Sequence, residues 1–238
     1  LKGDIMKKSL KNHFITFALA LILVIPCLFL FSACGESDVI QVSSYDQLVD
    51  AMKGDKGVIQ LTADIDVKDQ VFANRKVTLD LNGKTISNSS DIWNEEKNIW
   101  SLVGAGEGGE LTVTGSGKLA AKANDCYAID VRDGGKLVIE NGVFVGNISA
   151  VYSYEGNVEI KGGTYSIQQQ SKEFGNKLMI NLYDANRDNG TANLKVYGGR
   201  YNGFDPANPM EKGYKLLAEG YISSLVEGTT TDYLVTKA

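Results

Sequence analysis

The chain has 238 residues, with 24 Lys or Arg against 29 Asp or Glu, giving a net charge of −5. Acidity without a basic cluster argues against nucleic acid as a partner, since affinity for phosphate backbones rests on clustered cations. The one histidine, His13, lies near the N-terminus, and of the three cysteines, Cys27, Cys34 and Cys126, only the last lies beyond residue 34, so there is no disulfide framework.

The N-terminal segment reads as a secretory signal. Met6 to Lys11 is short and basic, an apolar run follows from Phe14 to Phe31, and Ser32 and Ala33 provide the small residues of a cleavage site. The competing reading is a membrane anchor. The run sits near the lower limit for a span, about 17 residues, and Pro26 interrupts it. Residues 1–5 read as translated from upstream of a true start at Met6. Phe31-Ser32-Ala33-Cys34-Gly35 resembles the lipobox of bacterial lipoproteins, with Phe31 where that family usually has leucine. The resemblance implies a lipid on Cys34, which becomes the first residue of the mature chain, and an extracytoplasmic position on the bacterial membrane.

Removing residues 1–33 leaves 205 residues, enough for one domain with a core. It also removes four lysines and one aspartate, taking the net charge from −5 to −8. The mature chain then has no histidine. Ser-His-Asp and Cys-His catalysis and histidine-ligated zinc are thereby excluded. Cys126, in an apolar stretch, reads as a small core residue.

Residues 34–42 read as a short tether and 43–238 as one domain. A helix is predicted over Tyr45–Lys53. Ser44 and Gln47 have capping-box spacing, Tyr45, Leu48, Val49 and Met52 fall on one face, and Gly54 ends it. Short β-runs follow, beginning with Val58–Leu61 and Val77–Leu81. A repeat then emerges: Gly109-Glu110-Leu111-Thr112-Val113 recurs as Gly135-Lys136-Leu137-Val138-Ile139, as Gly156-Asn157-Val158-Glu159-Ile160 and as Ala192-Asn193-Leu194-Lys195-Val196. The leading hydrophobics Leu111, Leu137, Val158 and Leu194 are 26, 21 and 36 residues apart. Behind the last three copies, glycine turns lead to Phe144, Tyr165 and Tyr201. This spacing predicts an all-β solenoid of three-strand coils, since one coil cannot bury its apolar face and stacked coils can. The amphipathic helix is suited to cap its open end. A β-sandwich is the rival, but it needs hairpins rather than triplets.

The segments Tyr45–Leu48, Ile59–Ile65 and Val77–Ile86, with Gly203–Pro206, Ala218–Tyr221 and Tyr233–Val235 near the end, resemble the right-handed parallel β-helix domains of the pectate-lyase-like superfamily, as found in surface lipoproteins of Gram-positive and gut bacteria. The resemblance covers nearly all of 43–238. It implies the fold, not an activity, because the superfamily holds polysaccharide lyases, glycoside hydrolases and binding proteins alike.

Enzymes of that fold work on the outer face of one stacked sheet. Aligning Ala128–Arg132, Ala150–Tyr154 and Met179–Tyr183 turns Ile129, Val131, Val151, Ile180 and Leu182 inward. Asp130, Arg132, Tyr152, Tyr154, Asn181 and Tyr183 then share the outer face. Aromatic rings beside amide and charged groups suit sugar, the rings covering C–H patches and the polar groups meeting hydroxyls. An ordinary solvated sheet face fits the same residues. Trp93 and Trp100 form either a binding rim or packing over the helix. If the protein is an enzyme, Asp130 and Arg132 carry the reaction; neither Asp64, Asp66 and Asp69 nor Asp130 and Asp133 comes with a supporting hydrolase motif. Asp184, Asn186 and Asp188 begin like a calcium loop. Asn189 then stands where glycine belongs and Lys195 where glutamate belongs, so no cofactor is expected and calcium is the weak exception.

The expectation is a lipid-anchored, non-catalytic domain that binds carbohydrate or cell-wall polymer. A lyase or hydrolase and a protein-interaction module stand beside it. A tether spanning at most about 30 Å keeps the domain near its membrane. The intact mass of membrane-extracted protein checks start and lipid together: a lipid-modified chain beginning at Cys34 is expected, and an unmodified chain beginning upstream is the opposing result.

Overall fold

The computed structural model describes residues 39–55, 57–209 and 214–238. The signal segment 1–33, Met6 and Cys34 lie outside the described residues.

The described chain is mostly β and its strands fall into three sheets. The first holds β1 (Val39–Val42), β2 (Val58–Leu61), β5 (Lys76–Asp80), β8 (Glu110–Thr114), β11 (Gly135–Ile139), β14 (Gly156–Ile160) and β17 (Ala192–Val196), all parallel and in that order. The second holds β4 (Val71–Ala73), β7 (Ser101–Ala105), β10 (Tyr127–Val131), β13 (Val151–Ser153) and β16 (Ile180–Leu182), again parallel. The third runs β3 (Ile65–Asp66), β6 (Thr85–Ser87), β9 (Lys118–Ala120), β12 (Val143–Gly146), β15 (Thr164–Ile167) and β18 (Gly199–Asn202). It ends in an antiparallel hairpin of β19 (Tyr221–Leu225) and β20 (Asp232–Lys237), with β20 next to β18. From β2 to β18 the chain visits first, third and second sheet in turn, so sheet neighbours are three strands apart in sequence.

The pairing is in register with the sequence repeat. Leu111, Leu137, Val158 and Leu194 are direct partners along the first sheet, and all are buried. In the third sheet Ile65, Ile86, Leu119, Phe144, Tyr165 and Tyr201 make one buried row. Its aromatic members stack, Phe144 on Tyr165 at 5.3 Å and Tyr165 on Tyr201 at 5.0 Å between centroids. Stacking of this kind is worth roughly 0.5–1.5 kcal/mol per pair beyond area burial. The two phenols do not go unpaired: Tyr165 donates to the Gly162 carbonyl at 2.7 Å and Tyr201 to the Gly198 carbonyl at 2.8 Å. The same three-residue reach in both repeats explains why tyrosine can occupy a core row.

Helix α1 (Tyr45–Lys53) packs on β1, β2 and β4 through Leu48, Ala51 and Met52. Ser44 accepts from the Gln47 N–H at 3.3 Å, while Gln47 reaches back to the Ser43 N–H at 2.8 Å, one residue earlier than the predicted capping box. At its other end, Arg75 donates to the Met52 and Ala51 carbonyls at 3.2 and 2.8 Å, satisfying groups that a helix end leaves open. Val39–Val42, read from sequence as the end of a tether, is instead strand β1, paired residue for residue with β2.

Burial raises the phenol pKa of Tyr165 and Tyr201 well above the ordinary 10.0. Unfolded, both ionise near 10. Below that pH neither state loses protons and stability is flat; above it the unfolded chain sheds protons that the folded chain keeps, so stability falls as pH rises. Each such group adds a slope of up to about 1.4 kcal/mol per pH unit. Denaturant titrations from neutral pH to about 11 are expected to show this decline. They should show a shallower one in Tyr165→Phe/Tyr201→Phe, which loses ~0.5–1.5 kcal/mol per hydrogen bond at neutral pH.

Candidate functional site

The outer face of the second sheet carries the site. Its registers place Phe72, Gly104, Asp130, Tyr152 and Asn181 in one row across five strands. The alignment of Asp130, Tyr152 and Asn181 is the one expected from sequence, and the inward partners Ile129, Val131, Val151, Ile180 and Leu182 are all buried. What differs is the exposure of the outward residues. Asp130 is 0% exposed and Arg132 6%. They are outward-pointing side chains under a cover.

The cover is the connection between β6 and β7, residues 88–100, and buried polar groups hold it down. Asp125 accepts from the Ile92 and Trp93 N–H groups at 3.0 Å each and from the Asn88 amide at 2.6 Å. Gln70 accepts from the Trp100 N–H at 3.0 Å, and Arg132 Nη1 donates to the Asn98 carbonyl. Trp100 is thereby laid over the Arg132 guanidinium at 4.1 Å, with the Phe72 ring at 4.7 Å from the same carbon. Both tryptophans therefore pack on the sheet face, not over the helix: Trp93 meets Tyr127 edge-on at 5.1 Å, and Trp100 meets Tyr154 at 5.0 Å.

Beneath Trp100 the Asp130 carboxylate is fully occupied. Oδ2 accepts from Arg132 Nε at 3.0 Å and Nη2 at 2.6 Å; Oδ1 accepts from Ser101 Oγ at 2.6 Å and from the Gln70 amide. Arg132 Nη2 also donates to Gln70 Oε1 at 3.2 Å. Burial pushes the Asp130 carboxyl up from its ordinary range, against the pull of Arg132, Ser101 and Gln70. The network passes over Gly104 because that residue has no side chain. A Cβ there would lie 2.6 Å from Asp130 Oδ1 and 2.8 Å from the Phe72 ring.

Four donors crowd the buried Asp130 carboxylate, Ser101 Oγ sharing its one hydrogen between Asp130 and the Val103 carbonyl, so a substrate hydroxyl or a cation has no open approach to it. The open outer face expected for Asp130 and Arg132 is corrected on this geometry: the two form a covered ion pair, and Arg132 borders a cleft. That cleft is about 770 Å³, with Gln70, Phe72, Asn74, Trp100, Arg132 and Tyr154 around it and Asp69, Lys97, Glu107 and Asp133 on its rim. A second hollow of about 460 Å³ shares Gln70, Phe72 and Asn74 and extends to Tyr45, Val49 and Met52 of α1.

Tyrosines continue the surface from the cleft. Tyr154 stacks on Tyr183 at 4.9 Å, and Tyr183 is 42% exposed. Tyr152 is half-buried between Tyr127 and Trp100, at 5.2 and 6.0 Å. Burial raises the phenol of Tyr127 to about 12 and shifts Tyr152 upward as well. Asn181 is half-buried beside Tyr152. The stretch read as a weak calcium loop is a short helix, α2 (Asp184–Asp188), in which Arg187 bridges Asp184 and Asp188 at 2.8 Å each, and Asn186 donates to the Tyr154 carbonyl at 2.8 Å. Its carboxylates are already met by a cation, and its amide is turned to the sheet. Among the described residues no cluster of three or more His, Cys, Asp or Glu could hold a metal.

Gln70, Phe72, Ser101, Gly104 and Asp125 were missed by sequence reasoning. The detectable signal was β7: aligning Ser101–Ala105 with Tyr127–Val131 sets Gly104 opposite Asp130 and exposes the gap that a long polar side chain fills. The chain matches no protein-family model, no curated protein and no solved structure.

Removing the cation alone should leave a buried carboxylate uncompensated. Arg132→Met is expected to cost roughly 3–5 kcal/mol in denaturant unfolding, and adding Asp130→Asn should recover part of it by removing the charge. Additive losses in the double variant would mean that the two residues are not energetically coupled.

Proposed function

We propose that this protein is a lipid-anchored, extracytoplasmic carbohydrate-binding module built as a right-handed parallel β-helix, with α1 capping the column and each first–third–second sheet triplet forming one coil. The observation that carries the reading is the cleft beside Trp100 and Tyr154. Fixed aromatic faces stand next to amide and carboxylate groups on a rigid sheet, the combination a sugar ring meets with its C–H patches and hydroxyls. The rings are positioned before any ligand arrives, because the Arg132 stack and the Asp125 and Gln70 hydrogen bonds hold their loop. Preorganisation of that kind reduces the cost of binding.

A non-catalytic role fits the enclosure of Asp130. Its partners would all have to be displaced before it could act as acid, base or ligand to a cation. Anchored at Cys34, the domain would meet wall polymers or imported oligosaccharides close to the membrane. A surface protein is the other partner class considered, but the polar rim of the cleft favours a hydroxyl-rich ligand over a flat apolar docking face.

Affinity electrophoresis in gels cast with a panel of polysaccharides tests the reading. Retardation without loss of polymer is expected with at least one of them. Tyr183→Ala, at an exposed position, should weaken it roughly 2- to 10-fold, the equivalent of one aromatic contact. Cleared polymer around the band would mean cleavage, and free migration in every gel would count against a glycan ligand.

A further inference from the structure

The charges around the cleft point to which glycans it takes. Arg132 is the cationic group a reader would assign to an anionic sugar, and it is committed elsewhere. Its Nε and Nη2 hold Asp130, Nη2 also holds Gln70, Nη1 holds the Asn98 carbonyl, and the Phe72 and Trp100 rings lie 4.7 and 4.1 Å from the guanidinium carbon. With Asp130 at its side the pair is electrically neutral at short range, so Arg132 offers an incoming carboxylate or phosphate neither free charge nor a free fork of donors.

The remaining ionisable groups at the rim are Asp69, Glu107, Asp133 and Lys97, three anions against one cation, all exposed. Among the described residues none of the three carboxylates is in an ion pair. Asp69 accepts only the Gln70 N–H at 2.7 Å. Carboxylates therefore outnumber cations three to one at the rim; of the cations lining the adjoining hollow, Arg75 is committed to the Ala51 and Met52 carbonyls and Lys53 is exposed. Aromatic faces beside carboxylates suit a hydrogen-bond donor or an ammonium group and repel a polyanion.

Resting on the reading of this cleft as a glycan site, we infer that it selects glycans without carboxylate, phosphate or sulfate groups and prefers those bearing free amines. The order expected is amine-bearing above neutral above acidic. The rim carboxylates set that order, and the Trp100–Tyr154 wall sets the basal affinity for any sugar.

The test is a calorimetric titration of the full-length protein, in mild detergent, with three oligosaccharides of equal length: a glucose oligomer, a glucosamine oligomer with unsubstituted amines, and a uronic acid oligomer. At low salt the amine-bearing oligomer should bind about tenfold tighter than the neutral one and the uronate about tenfold weaker, with the differences shrinking at high salt. Asp69→Asn/Glu107→Gln/Asp133→Asn, altered only at exposed positions, should bring the three affinities together and remove their dependence on salt. A uronate bound as tightly as the neutral oligomer, or more tightly, overturns the charge selection and leaves the glycan site standing. Absence of binding by all three overturns the glycan site and the selection with it.

Discussion

Parallel pairing in register is the constraint on which everything else here depends. Because each strand from β5 to β18 lies beside the one three places earlier with matching positions opposed, a residue type repeated at one position becomes a row along the sheet. Inward rows of branched aliphatics and stacked aromatics form the core. Outward rows become surfaces whose chemistry is set strand by strand. The backbone hydrogen bonds are indifferent to what the outward row carries, so that row can be altered with little cost to the pairing beneath it.

One outward row does the opposite and becomes a second, polar core. Asp130 and Arg132 occupy positions that the pleat directs to solvent, yet the 88–100 connection closes over them. The energetics explain why so many partners gather there. A buried carboxylate is tolerated only when its lone pairs are met, and four donors on Arg132, Ser101 and Gln70 meet them. Gly104 is the complementary feature, a missing side chain that lets Gln70 reach across from the β4 end of the sheet. The outcome is less a source of stability than a fixed platform. It pins a long connection whose own sequence has little reason to adopt one conformation, and with it the two tryptophans that such a connection would otherwise leave mobile.

Legibility from sequence follows the same division. The rows led by Leu111, Leu137, Val158 and Leu194 could be read because period and register are properties of the strands themselves. So could the parity of Asp130, Tyr152 and Asn181. The burial of Asp130 could not, since it is decided by a loop tied down by Gln70 and Asp125, whose sequence distance from Trp100 and Trp93 carries no periodic signal. Strand β1 was missed because four residues show too little alternation to stand out from a tether. Asp184–Asp188 was ambiguous in a different way: acids at alternate positions suit a calcium loop, but Arg187 at i+3 from Asp184 suits a helix equally, and in the helix Arg187 pairs with both carboxylates.

The placement of charge then separates two tasks that a single arginine could have been asked to perform. A guanidinium at the floor of an aromatic cleft can read an anionic ligand only if its donors are free in the unliganded state. Here they are given to Asp130, Gln70 and Asn98, so any ligand that recruited them would first have to break buried hydrogen bonds and expose a carboxylate without its cation. That penalty falls on anionic and neutral ligands alike, and it makes the floor of the cleft rigid and passive. On the proposed reading, discrimination would fall to the rim, where Asp69, Glu107, Asp133 and Lys97 are exposed. On that reading, a buried frame separate from an exposed rim would let ligand preference shift by substitution at the surface, with the aromatic wall and the fold beneath it held constant.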